Sequence, residues 1–153
     1  MRKHLRALIA RGKLLLHQAH SERASPREIA IAVALGAFAG CSPAIGAHGW
    51  LAVGLATILR KNRLFAFFGS RVSFFLTLPW IVLLEIQLSH RLRTGAWAEL
   101  SAETALAQAH LLLLDWCLGW IPVGLFFAAL TAPLGYAWGK RRERRAAATA
   151  PAA

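Results

Sequence analysis

The chain predicts an all-α membrane fold, on three observations. Of 153 residues, 57% are hydrophobic and 16% charged, whereas soluble domains hold roughly 45–50% apolar and about 25% charged residues. The charges are lopsided, 18 Lys and Arg against 7 Asp and Glu, for a formal net charge of +11. Long charge-free windows recur at membrane-spanning length. A disordered basic protein would be poor in apolar residues. A soluble nucleic-acid binder would spread its bases over one surface, and here no aromatic stripe interleaves with them, so no nucleic-acid partner is expected. The expected architecture is polytopic: an amphipathic amino-terminal helix, a short helical hairpin able to re-enter, and two full transmembrane helices.

Residues 1–24 read as a basic amphipathic helix on the cytoplasmic face. Leu5, Leu8, Ile9, Leu15 and Leu16 recur at helical spacing, with Lys3, Arg6, Lys13 and His17 mostly opposite. Such a helix lies on an anionic lipid surface. The apolar run Leu14–Leu16 is too short for a secretory signal. Ser25-Pro26-Arg27-Glu28 is a capping box with proline in the first helical turn, so a helix starts there.

The membrane domain is expected over residues 25–145. The uncharged window Ile29–Leu59 is too long for one span and is broken at Cys41-Ser42-Pro43-Ala44-Ile45-Gly46-Ala47-His48-Gly49. Two arms result, each about 22–24 Å long at 1.5 Å per residue. The hydrocarbon core is about 30 Å thick, so a hairpin over 26–59 that dips in and returns fits better than two spans. Ala32, Gly36 and Gly40 form a small-residue stripe along the first arm. Its expected partner is the second arm, through Gly46, Gly49 and Gly54. A face for a second copy of the chain is the alternative.

Residues 64–88 are expected to form the first full span, kinked at Pro79, with Arg71 and Glu85 near opposite interfaces. Residues 89–112 form an outer loop, with an interfacial helix over Trp97–His110. Residues 114–138 form the second span, with Trp116 and Trp120 at the outer interface and Trp138 at the inner one. Lys140–Arg145 is a basic stop, and residues 146–153 a disordered tail. Charge placement tests this order. With a hairpin, 16 of the 18 bases share one side; with a single kinked span they divide evenly. The positive-inside rule selects the hairpin, with both termini cytoplasmic.

The candidate functional residues are Pro43, Gly46 and His48 in the hairpin turn, Asn62 after it, and Arg71, Ser73 and Thr77 in the next span. Ser25, Pro26, Glu28, Gly36 and Gly40 carry structural motifs. A short Pro/Gly-broken hairpin at membrane depth is a form that transport sites take. An intramembrane arginine is a functional candidate by default. Arg71 is placed to hold a lipid phosphate, with Ser70, Ser73 and Thr77 adding hydroxyls. Cys41 and Cys117 read as inert thiols. His110, Asp115 and Cys117 do not share a helix face. With no zinc-type spacing, Walker loop, HExxH or GxSxG, neither a metal, a cofactor nor catalysis is expected.

Ser25-Pro26-x-x-Ile29-Ala30, Gly36, Gly40, Pro43-x-x-Gly46 and Leu59-Arg60-Lys61-Asn62-Arg63 resemble the domain-of-unknown-function 2062 family. The likeness continues through Gly69-Ser70-x-Val72-Ser73 and Thr77-x-Pro79. It implies a small bacterial inner-membrane protein; the same domain also occurs fused to glycosyltransferases. Where the family usually has Asn-Pro after the serine matching Ser73, this chain has Phe74-Phe75. The resemblance brings no settled activity. The expected function is a scaffold or accessory protein of envelope assembly, then a small lipid or solute translocator, and last an enzyme on lipid-linked substrates. The anionic bilayer and a further copy of the chain are the expected partners.

Overall fold

The computed structural model describes residues 25–72 and 76–148. The amphipathic helix expected at 1–24, and Ser73, Phe74 and Phe75, lie outside the described residues, as do 149–153. Every regular element among the described residues is helical. In chain order these are α1 (Pro26–Gly40), α2 (His48–Ile58), α3 (Arg63–Gly69), a 3₁₀ turn (Ser70–Val72), α4 (Leu78–Thr94), α5 (Ala102–Ala107) and α6 (Ala109–Ala148).

Local chemistry sets the helix ends. The Ser25 hydroxyl accepts from the Glu28 amide at 3.3 Å, while Glu28 accepts from the Ser25 amide at 2.9 Å, completing the capping box. Asn62 caps α3, its Oδ1 accepting from the Leu64 and Phe65 amides. Pro79 stands in the first turn of α4, where its missing N–H would be unpaired anyway. It therefore starts a helix rather than kinking one. Gly95 closes α4 at φ 78°, a left-handed cap that glycine adopts without strain.

The expected span 64–88 is thus not one helix. It is broken between Gly69 and Leu78, where Ser70 Oγ donates to the Phe67 carbonyl and Thr77 Oγ1 to the Val72 carbonyl. Of the hydroxyls expected beside Arg71, those of Ser70 and Thr77 serve this backbone instead. The outer helix is also shorter than expected. Residues 97–101 are irregular, α5 covers only Ala102–Ala107, and His110 already belongs to α6. The loop is pinned by Gln87, whose side-chain amide pairs with both backbone groups of Ala98 at 2.9 Å. The second expected span lies within α6, which runs through the basic cluster to Ala148, so residues 146–148 are helical rather than a disordered tail.

Backbones approach closely at small residues. A Cβ on Gly36 would strike the Ala66 carbonyl, one on Gly69 the Val33 carbonyl, and one on Gly40 the Ser70 backbone at 2.7 Å. The stripe on α1 therefore packs on α3 and the 3₁₀ turn, and not on the glycines of the second arm. Gly46 and Gly54 have nothing within 4 Å. Gly139 lies against Pro26, Gly135 against Ala30 and Gly124 against Phe38, so α1 runs antiparallel along α6. Gly119 lies against the Glu85 backbone, joining α4 to α6.

These contacts order the bundle by depth. One end holds the start of α1 beside Gly139 and the start of α3, where Phe65 and Trp138 meet edge-on at 5.4 Å. Arg27, Arg63 and Lys140 cluster there, with Arg60 and Lys61 just ahead of α3. The hairpin turn reaches Val123, where Cys41, Ile81 and Val123 form a buried cluster against Val72. Along α6, Gly139 and Val123 are about 24 Å apart. Past them α4 continues to Asp115, about 12 Å further.

The buried apolar set is small and alanine-rich, while Trp50, Phe68, Trp80, Leu125 and Phe126 are exposed. Among the described residues, Ala109–Arg145 is the one helix long and apolar enough to cross a membrane. The expected number of spans is not reproduced.

Gly36→Ala should destabilise the fold by about 1–3 kcal/mol through overpacking against α3. Gly54→Ala, in open space within α2, should be neutral or stabilising by up to about 1 kcal/mol. Thermal melting of the two variants in detergent checks the contrast.

Candidate functional site

The residues singled out from sequence separate into two groups. Around the hairpin turn, Gly46 adopts φ 82° and His48 donates through Nε2 to the Ser42 carbonyl at 2.8 Å. Pro43 is half-buried at the same turn. Arg71 lies near this region: its guanidinium stacks 4.3 Å above the Phe67 ring, and Phe67 packs on Gly49 at the start of α2. Arg71 is exposed at the depth of the hairpin turn. Asn62 and Thr77 are engaged with backbone at helix ends.

The more organised polar groups lie on α4 and α6. Asp115, with 0% exposure, gathers four hydrogen bonds. Arg93 grips it with both ends of a fork, Nε to Oδ1 at 3.0 Å and Nη2 to Oδ2 at 2.9 Å. Ser89 Oγ donates to Oδ1 at 3.1 Å, and His90 Nδ1 to Oδ2 at 2.8 Å. Arg93 is four residues from Ser89 and three from His90, so it neighbours both on the helix surface and all three reach Asp115. Bidentate, charge-assisted pairing of this kind is the strong form of the interaction.

One turn before Ser89 comes Glu85, also 0% exposed. Neither of its carboxyl oxygens has a hydrogen-bond partner. Cys41 on the hairpin turn is within electrostatic reach of it, and the Trp116 indole N–H on α6 faces it as a donor. Among the described residues, the other buried side-chain polar atoms without a partner are Ser42 Oγ and Trp116 Nε1. Ser42 follows Cys41, and Trp116 approaches Glu85, so the unsatisfied atoms come from the hairpin turn, α4 and α6. An ionised carboxylate without a partner in an apolar surround is very unfavourable, so such a group needs a proton or a ligand. Trp120, expected at an interface, donates instead to the Phe38 carbonyl at 3.0 Å and seals the end of α1.

Glu85, His90, Arg93 and Asp115 were not candidates by sequence reasoning. The available signal was acidic residues inside apolar helices, each a functional candidate on the same ground as Arg71. Among the described residues, no cluster of three or more His, Cys, Asp and Glu is arranged to hold a metal ion.

Among the described residues, the fold and this polar seam define an all-helical protein with one membrane-capable helix. Residues 10–148 match the model of a family described as an uncharacterized protein conserved in bacteria, DUF2062, and the chain belongs to that family. No curated protein and no solved structure matches it.

Replacing Arg93 by Met leaves Asp115 buried without its main counter-charge. That single change should lower the melting temperature more than the double change Arg93→Met with Asp115→Leu, which removes both charges. Differential scanning calorimetry of the two variants tests the coupling.

Proposed function

We propose that this protein is an integral membrane protein that helps polar, headgroup-bearing lipids cross the bilayer. One observation carries the reading: two interrupted segments meet at one depth. The hairpin turn and the break between α3 and α4 both pack against Val123, through Cys41, Val72 and Ile81. Irregular backbone at membrane depth is tolerated only within protein or beside a wet cavity. Paired broken segments are the form that transport sites take. Sequence reasoning found only the first break. Arg71 adds an exposed cation at the same depth, suited to a lipid phosphate. The clustered bases at one end of the bundle support a cytoplasmic placement of both termini.

A scaffold role in envelope assembly has one observation in its favour. At 1.5 Å per residue α6 is about 60 Å long, twice the roughly 30 Å hydrocarbon core. Its basic end would then stand in water as a docking surface.

Purified protein in vesicles of phosphatidylethanolamine and phosphatidylglycerol, with a fluorescent phospholipid as probe, distinguishes the two. Accelerated bleaching of inner-leaflet probe by dithionite, reduced several-fold by Arg71→Leu at equal insertion, supports translocation. Bleaching no faster than in empty vesicles leaves the scaffold. For topology, a single cysteine at Lys61, with Cys41 and Cys117 replaced by alanine, should be labelled only from the cytoplasmic side. Labelling from outside overturns the hairpin.

A further inference from the structure

Glu85 is a buried carboxyl group with no charged partner and no hydrogen bond of full geometry, faced by the Trp116 indole and set where the hairpin turn, α4 and α6 meet. Ser42 Oγ and Trp116 Nε1 are also buried and unpartnered there. A purely structural acid at such a place would be paired, because an unsatisfied buried polar group is costly. The surroundings are also graded. Toward the basic end, the contacts between α1 and α3 are alanine, glycine and backbone: Ala32, Gly36, Ala66 and Gly69. In the other direction, α4 carries Ser89, His90 and Arg93, all held on Asp115. His90 is partly exposed at 17% of its side chain, so this polar seam reaches the surface.

We propose that Glu85 is a proton-binding site that exchanges with solvent at the Asp115 end of the bundle and not at the basic end. The proton comes from water at that end and adds to a carboxylate oxygen of Glu85; release returns it the same way. The groups facing Glu85 fit this role. Cys41 faces it from the hairpin turn, and Trp116 and Asp115 stand on α6. Ser89, His90 and Arg93 continue along its own helix. The Arg93 charge is already matched by Asp115, through two hydrogen bonds, leaving Glu85 without a counter-ion. The Ser89 hydroxyl stands one helical turn from Glu85 and donates to Asp115. The proton site stands independently of the translocation reading.

Infrared difference spectroscopy of the full chain in lipid, cycled between acidic and alkaline buffer, tests the site directly. The expected result is a protonated-carboxyl carbonyl band that appears with acidification, shifts in D₂O and is lost in Glu85→Gln and Glu85→Leu. Deuterium exchange of that band should slow several-fold in Ser89→Ala and His90→Ala. A band that neither responds to pH nor exchanges in the wild type, or one that survives both Glu85 substitutions, overturns the site. Exchange at wild-type rate in both Ser89→Ala and His90→Ala overturns the route. A titrating band in vesicles without lipid movement refutes the translocation reading and leaves the proton site standing.

Discussion

The contact between α1 and α3 at Gly36 and Gly69 governs the rest of the molecule. Each glycine faces a carbonyl of the opposite helix, Ala66 and Val33 respectively, so neither position has room for a Cβ. Small residues at such crossings let backbones meet and gain dispersion contacts where no hydrophobic drive separates helix from lipid. Gly40 on the Ser70 backbone continues the same seam. Once α1 and α3 are held this way, the hairpin turn and the 3₁₀ turn must arrive at one level, because both helices start from the same end. α6 then lies along α1 through Gly135 and Gly139, and receives α4 through Gly119.

That arrangement explains the division of polar groups. At the hairpin turn and the helix break, backbone needs are met locally, by the Ser70 and Thr77 hydroxyls and the His48 ring. Farther along α4, the charges are paired tightly, with Arg93, His90 and Ser89 all on Asp115. Between the two lies Glu85, the one buried carboxyl group among the described residues that neither system satisfies. A fold that gives Asp115 four hydrogen bonds, two of them from an arginine, and Glu85 no charged partner treats the two acids differently. Asp115 is a clamp between α4 and α6, and Glu85 is the group with capacity to spare.

Much of this was legible beforehand where a local rule applies. The Ser25–Glu28 capping box, the hairpin turn after Cys41 and the long apolar helix through Trp116–Gly139 follow from capping, turn chemistry and hydropathy. The break at Ser70–Thr77 was not. Pro79 inside an apolar run reads equally as a kink or as a first-turn proline, and only packing separates these. Arg71 drew attention as an isolated cation in an apolar stretch. Glu85 did not, because at the end of an uncharged window an acid looks like an interface marker. The partner of the Gly36 stripe was also misjudged, since nearness in sequence suggested the second arm whereas α3 is the face that fits.

The imbalance of apolar residues and positive charge, read with the turn residues after Cys41, determined an all-helical chain with one long membrane-capable helix among the described residues, the turn between α1 and α2, and the end of the bundle where its bases collect. Each depends only on residue type and spacing, since burial of apolar helices and the siting of bases are set by the solvent on either side of the chain. Which helix touches which, where the second span breaks, and that Glu85 is left unpaired beside a fully paired Asp115 were decided by tertiary structure alone. The reason is geometric: a hydrogen bond or a backbone contact between residues tens of positions apart depends on helix crossings at ångström scale, and no one-dimensional pattern encodes those.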